Sequence, residues 1–536
     1  MEALDWLVIG VFFLALIGII VWVVRQKQND SADYFLGGRD ATWLAIGASI
    51  FASNIGSEHL IGLAGAGASS GMAMAHWEIQ GWMILILGWV FVPFYSRSMV
   101  YTMPEFLERR YNPQSRTILS VISLVSYVLT KVAVTVYAGG LVFQQVFGIK
   151  ELWGIDFFWI AAIGLVVLTA LYTIFGGMKS VLYTSVLQTP ILLLGSLIIL
   201  VLGFKELGGW DEMMRVCGAV TVNDYGDTMT NLIRSNDDAN FPWLGALIGS
   251  AIIGFWYWCT DQFIVQRVLS GKNEKEARRG TIFGAYLKLL PVFLFLIPGM
   301  IAFALHQKYI GAGGEGFLPM LANGTANADA AFPTLVAKLL PAGVKGLVVC
   351  GILAALMSSL ASLFNSSAML FTIDFYKRFR PETPEKKLVG IGQIATVVIV
   401  ILGILWIPIM RSVGDVLYTY LQDVQSVLAP GIAAAFLLGI CWKRTSAQGG
   451  MWGLIAGMII GLTRLGAKVY YSNAGEVADS TFKYLFYDMN WLFFCGWMFL
   501  FCIIVVIVVS LATEAPTAEK IQGLVFGTAT KEQKAS

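Results

Sequence analysis

Apolar runs of roughly 20 residues or more recur along the whole chain, near 4–24, 42–68, 73–96, 117–145, 156–174, 180–203, 241–266, 281–305, 343–375, 388–409, 416–441, 448–466 and 489–511. Each is long enough to cross the hydrocarbon core of a bilayer as a helix, and in lipid only helices or closed barrels satisfy every backbone polar group. The expected fold is therefore an all-α polytopic membrane protein of about thirteen transmembrane helices, with the lipid bilayer as its first partner. Composition agrees, since 57% hydrophobic and 13% charged residues lie far from the roughly 45–50% and about 25% of soluble domains. No small-residue cleavage site follows the first run, which reads as a retained span. A net charge of +2 argues against nucleic acid as a partner.

With the N-terminus outside, the inner loops hold the larger share of Lys and Arg, among them Arg109, Arg110, Lys275, Arg278, Lys377, Arg380, Lys387 and Arg444. The positive-inside rule then sets the N-terminus outside and the C-terminus inside. The expected location is the plasma membrane, which in a bacterium is the cytoplasmic membrane. Loops 205–240 and 306–342 are polar, face outward on this topology and could lid an access path, and Asn323-Gly324-Thr325 in the second has the glycosylation pattern. The 6 cysteines contain no CxxC and predict no disulfide, and the 3 histidines lack ligand spacing. No motif joins a nucleophile, a base and an orienting partner, so an enzyme is not expected.

Two of the runs are interrupted, by Ala52-Ser53-Asn54-Ile55-Gly56-Ser57-Glu58-His59 and by Gly254-Phe255-Trp256-Tyr257-Trp258-Cys259-Thr260-Asp261. A span can give up regular hydrogen bonding at mid-bilayer only where protein or a water-filled cavity satisfies the freed groups. Such freed carbonyls and half-helix ends hold ions and small solutes in transporters built from repeats. Spans two to six and seven to eleven each make a set of five opening with a broken helix, so they start on opposite sides and form a 5+5 inverted-repeat core. The expected division is 1–40 as an N-terminal extra helix and inner loop, 41–204 as the first repeat, 205–240 as an outer loop, 241–444 as the second repeat, 445–512 as two C-terminal helices and 513–536 as a polar cytoplasmic tail.

Ionisable groups at membrane depth cost at least ~2.5–3.5 kcal/mol each on insertion scales, so Glu78, Lys131, Lys288 and Asp261 require partners or functions. Glu78, in Ala75-His76-Trp77-Glu78-Ile79-Gln80, offers what a polyol needs: acceptors for hydroxyls and an aromatic face for a ring. Lys288 would add donors and Gln422 both kinds of group, although Lys288 taken alone fits a structural ion pair equally well. Lys131 reads as structural, packed on a carbonyl or snorkelling. Asp261, with Arg267 six residues on, reads as part of an inner ion-pair cluster. Ala355, Ser358 and Ser359 put a carbonyl and two hydroxyls on one helix face. With freed carbonyls at Ala52 and Ile55 they make five uncharged oxygens, which favour a monovalent cation over calcium. The same serines would also simply allow helices to pack closely.

The chain resembles the solute:sodium symporter family, and within it the sodium/glucose cotransporter branch. The similarity is carried by Asp33-Tyr34-Phe35-Leu36-Gly37-Gly38, Ser53-Asn54-Ile55-Gly56-Ser57, Tyr101-Thr102-Met103-Pro104-Glu105, Gly176-Gly177-Met178, Trp256-Tyr257-Trp258-Cys259-Thr260-Asp261-Gln262, Val265-Gln266-Arg267, Ser358-Ser359 and Phe436-Leu437-Leu438-Gly439-Ile440-Cys441-Trp442-Lys443-Arg444. The resemblance implies sugar contacts at Asn54, His59, Glu78, Lys288 and Gln422, with Tyr257 stacking on the ring as the inner gate. Leu63, Trp77 and Tyr418 fall at the outer gate, and Ala52, Ile55, Ala355, Ser358 and Ser359 at a site for the cotransported sodium ion. Ser185 stands where the family commonly has aspartate, and Ala361 where members with a second sodium often have threonine, which favours one sodium per substrate. Glu58-His59 is a pairing also seen in the inositol-transporting branch, and Gln425 replaces a smaller polar residue common in glucose carriers. The expected activity is sodium-driven import of a glucose- or galactose-like hexose. A myo-inositol or other polyol carrier is the alternative within transport, and a sugar sensor or sodium leak channel the alternative outside it.

Overall fold

The computed structural model describes residues 1–26, 30–56, 58–321, 324–413, 417–473 and 478–528, without the side chains of 129–130, 409–413, 417–423 and 473. Apart from a two-residue antiparallel pair, Glu151–Leu152 with Ile155–Asp156, and a few isolated bridges, the regular structure described is helical. Among the described residues ten helices are long and apolar enough to cross a bilayer.

The other three expected spans are present in altered form. Phe157–Leu207 is written by its hydrogen bonds as one helix of 51 residues, which at 1.5 Å per residue would be about 75 Å long, more than twice a hydrocarbon core. Gly177 folds it into two, with φ 53° and ψ −149°. A Cβ at that position would lie 2.4 Å from the Tyr34 carbonyl oxygen, so only glycine can make this turn. The span expected at 117–145 is built from Pro113–Ser126, a wide-pitch turn Tyr127–Val132 and Ala133–Phe147. The span expected at 42–68 is broken: Trp43–Asn54 is followed by an extended residue and then by Glu58–Leu63 and Ala64–Ser69.

Burial orders the bundle. In the Val344–Phe379 span 89% of the apolar window is buried, against 22% in Ala3–Val24 and 33% in Trp491–Ala512. An apolar helix left open over most of its surface faces lipid, so these two lie at the periphery. The enclosed span is the axis of the bundle, and Phe157–Leu207, Ala3–Val24 and Trp43–Asn54 pack against it. The 205–240 segment carries one short helix, Trp210–Gly218, and folds back over residues 70–72. There the Met72 N–H donates to the Met229 carbonyl at 2.8 Å and Arg234 donates to the Ser70 carbonyl. All six cysteines are free thiols. Asn323 of the glycosylation pattern lies outside the described residues.

Candidate functional site

Both breaks are real interruptions of the backbone. The first helix ends at Asn54, with Ile55 extended at φ −79°, ψ 101°, and regular structure resumes at Glu58. In the second, Trp243–Gly254 widens into the turn Phe255–Thr260 and stops at Asp261, extended at φ −76°, ψ 128°. The Asp261 carboxylate accepts the Phe263 N–H and so caps the next helix, Gln262–Leu269. One hydrogen bond joins the breaks directly: Asn54 Nδ2 donates to the Tyr257 hydroxyl at 3.0 Å.

Above this bond lies a small polar cavity. Asn54, His59, Glu78, Tyr257 and Lys288, expected from sequence to contact the substrate, all line it, with Trp77, expected at the outer gate. Lys288 Nζ is 2.6 Å from Glu78 Oε2, and His59 Nε2 is 3.2 Å from Glu78 Oε1. Lys288 also donates to His59 Nε2 at 2.8 Å. A single imidazole nitrogen cannot accept from Lys288 and donate to Glu78 at once, so the triad leaves bonding capacity unused. Asn54 Oδ1, His59 Nδ1 and Gln80 Oε1, all buried, have no hydrogen-bond partner among the described residues. Orphaned polar groups of this kind cost free energy unless something occupies them. The enclosed space is about 20 Å³, room for about one water molecule, so a six-membered ring enters only if Lys288, Glu78 and His59 part.

Trp77 packs edge-on against Trp491, with centroids 5.5 Å apart. Leu63 is buried but does not line the cavity. The side chains of Tyr418 and Gln422 lie outside the described residues. The cavity adds three polar residues that had not been nominated, Glu58, Gln80 and Gln425. Each has a positional signal: Glu58 precedes His59, Gln80 follows Glu78 by two, and Gln425 follows Gln422 by three, on the same helix face.

The oxygen-rich set lies against the first break. Ser359 Oγ donates to the Ser53 carbonyl at 2.8 Å and lies 3.4 Å from that of Ile55. These carbonyls are among those a helix end leaves without intrahelical partners. Gly56 permits the approach, since a Cβ there would meet Ser359 Oγ at 2.7 Å. Ser358 Oγ is 3.3 Å from Ser185 Oγ. Ala52 and Ala355 are buried, and their side chains offer no polar atom, so any contribution is by carbonyl. Two further serines close the cluster, with Ser53 Oγ 2.7 Å from Ser362 Oγ and Ser362 Oγ donating to the Ser358 carbonyl at 2.7 Å.

Below Tyr257 the expected pairing is corrected. Asp261 pairs with Lys131 at 2.9 Å and accepts from the Tyr127 hydroxyl, while Arg267 donates through Nε to Ser53 Oγ at 3.1 Å. Lys131 is thus neither snorkelling nor resting on a carbonyl. Its ammonium also lies 4.6 Å from the centre of the Tyr257 ring, a cation–π contact that braces the ring from the side of the ion pair. Six residues along a helix turn Arg267 about 120° away from the Asp261 direction, whereas Lys131 arrives from a neighbouring helix at the right depth.

Known proteins bear directly on this geometry. A substrate-bound, outward-open Na+-coupled sialic acid symporter of known structure superposes with a TM-score of 0.77 at 21% identity, over 96% of this chain and 99% of that one, which shows a shared fold. Sodium/myo-inositol cotransporter 2 of Mus musculus is 37% identical over 542 residues, covering 98% of this chain and 80% of that protein. Sodium/glucose cotransporter 4 of Danio rerio is 36% identical over 537 residues, covering 97% and 80%. The profile of the sodium:solute symporter family matches residues 34–457, a stretch that runs from the motif before the first broken helix through both breaks and the Ser358-Ser359 pair. The chain belongs to the sodium:solute symporter family.

Proposed function

We propose that this symporter imports a neutral, polyhydroxylated six-membered ring together with one sodium ion by alternating access. The observation that carries the reading is the adjacency of two complementary sites across one break: a buried carboxylate–lysine–imidazole triad with unpartnered polar atoms, and hydroxyls facing freed carbonyls. Ala52, Ile55, Ala355, Ser358 and Ser359 would hold sodium. Glu78 would accept ring hydroxyls, Lys288 and Asn54 would donate to them, and His59 and Gln422 would complete the polar shell. Tyr257 would stack beneath the ring, with Leu63, Trp77 and Tyr418 closing above it.

Sodium bound between Ile55 and Ser359 would order Asn54 and its neighbours, so each ligand would raise the affinity for the other by the same factor. The units 41–204 and 241–444 would then rock against each other, with the N-terminus outside and the C-terminus inside. One sodium ion moving down a 100 mV potential supplies ~2.3 kcal/mol, enough for about 50-fold accumulation before any sodium gradient is counted.

Between hexose and cyclitol, a myo-inositol-like cyclitol has the better support. The cavity lining holds a second carboxylate, Glu58, and the amides Gln80 and Gln425 beside Glu78. A ring with a hydroxyl on every carbon satisfies more of these acceptors than a pyranose with a ring oxygen. Relatives named for myo-inositol and for glucose are nearly equally similar, so the lining residues carry the distinction. The test is uptake of labelled myo-inositol, glucose and galactose into proteoliposomes under an inward sodium gradient, with potassium and proton gradients as controls. Sodium-driven accumulation of inositol above glucose is expected. Saturable binding without accumulation would replace transport by sensing, and sodium flux without substrate would replace it by a leak.

A further inference from the structure

Away from the site, an apolar groove of about 600 Å³ opens toward the bilayer, walled by Leu124, Phe371, Tyr376, Ile394, Val398 and Leu402 among others. That volume is within the range of sites that hold small organic molecules. Two of its walls adjoin wide-pitch turns, Tyr127–Val132 and Leu370–Tyr376, where an extra residue per turn displaces the helix surface. The third wall is the outer face of the helix Glu385–Val413, where Ile394, Val398 and Leu402 are each about half exposed or more.

In lipid an apolar groove does not by itself select an apolar chain, because tails and side chains are equally apolar. Selection has to come from the end of the groove. Tyr376 lines both the groove and an adjoining polar pocket that contains Arg380, Glu382, Thr383 and Lys387. Of the basic residues in this stretch, Lys377 is held by Glu385 at 2.9 Å, and Arg378 donates to the Thr117 hydroxyl at 2.6 Å. Arg380 and Lys387 have no ion-pair partner among the described residues. Against them the pocket sets one carboxylate, Glu382, so its lining carries one uncompensated positive charge at the mouth of an acyl-sized groove.

We infer that the groove and the basic pocket together form a binding site for an anionic phospholipid, one acyl chain lying along Ile394, Val398 and Leu402 and the phosphate between Arg380 and Lys387. Tyr376 sits at the junction, where an amphipathic ring suits the boundary between tail and headgroup. The charge match picks out a headgroup of net negative charge. A zwitterionic lipid would bring a second cation into a pocket that already has more cations than Glu382 can balance. Basic pockets between transmembrane helices bind anionic headgroups by the same electrostatics.

The test is native mass spectrometry of the full chain in detergent, titrated separately with phosphatidylglycerol, phosphatidylcholine and phosphatidylethanolamine. One phosphatidylglycerol should be retained about tenfold more tightly than either zwitterionic lipid. The double variant Arg380→Ala/Lys387→Ala should bind all three alike. Ile394→Trp, which fills the groove without touching the charges, should lose retention of all three. Lys275→Ala/Arg278→Ala, on a different basic loop, should leave the preference intact. Equal binding of the three lipids by the unaltered chain, a preference that survives Arg380→Ala/Lys387→Ala, or one lost equally in Lys275→Ala/Arg278→Ala would overturn the assignment.

Discussion

Removing the Ser359 hydroxyl would separate the proposed sodium site from the proposed substrate site. In the structure Ser359 Oγ donates to the Ser53 carbonyl at 2.8 Å and reaches that of Ile55 at 3.4 Å, and it makes no contact in the polar cavity. A hydroxyl bonded to an ion contributes about 1.5–3 kcal/mol, and the neutral hydrogen bond that sodium would displace is worth about 0.5–1.5 kcal/mol. Ser359→Ala forfeits the difference, about 1–2 kcal/mol, which raises half-saturating sodium roughly 5- to 30-fold. Initial uptake in proteoliposomes should be measured against sodium at constant ionic strength, and then against substrate at low and at saturating sodium. By reciprocity, substrate affinity should fall at low sodium and recover when sodium saturates. An unchanged half-saturating sodium concentration, or a loss of substrate affinity that saturating sodium does not restore, would refute the placement of sodium at Ser359.

Lys131→Ala leaves the Asp261 carboxylate buried without its cation and should destabilise the protein by about 3–5 kcal/mol, whereas Lys131→Met combined with Asp261→Asn should recover most of that loss; thermal unfolding of the three proteins in one detergent compares them, and a single variant as stable as the parent would deny the pair. Gln425→Ala should shift the ratio of inositol to glucose uptake by about tenfold, as expected for one buried hydrogen bond gained or lost, at unchanged half-saturating sodium; an unaltered ratio removes Gln425 from the substrate's contacts. Gly177→Ala places a Cβ 2.4 Å from the Tyr34 carbonyl oxygen in a conformation closed to alanine, so folded protein, read as a monodisperse elution peak, should be lost.

The spans were legible because lipid leaves the backbone no alternative, and both breaks fall where polar and glycine residues interrupt apolar runs. Glu78 and Lys288 stood out because a charge at that depth demands a reason. The pairing of charges was not legible. Lys131 and Asp261 lie 130 residues apart in sequence, and nothing local states which helix will meet which at what depth. Arg267, close in sequence to Asp261, instead bonds to Ser53 on the other broken helix. Ala52 and Ala355 would act through carbonyls that every residue possesses, so residue type carries no signal there, and they are reached only through the position of the break, the spacing to Ser358 and Ser359 and the family resemblance. Gln425 departs from the smaller residue common in glucose carriers, and it lines the cavity beside Glu78.

If the proposed substrate is right, the crowding of Lys288, Glu78 and His59 into about 3 Å of one another would make the site count hydroxyls. A ring entering there would have to separate these groups and take over each contact it displaces. A deoxy analogue, lacking one hydroxyl, separates them all the same and leaves one buried group with nothing, at a cost of about 1–3 kcal/mol. An added methyl on a hydroxyl fails for the same reason, since it removes the donor. Discrimination of this kind falls hardest on analogues that differ by a single missing contact and least on stereoisomers that keep every hydroxyl within reach. Inhibitors built on this scaffold should therefore keep the full complement of ring hydroxyls and place their distinguishing bulk outside the triad, toward Trp77.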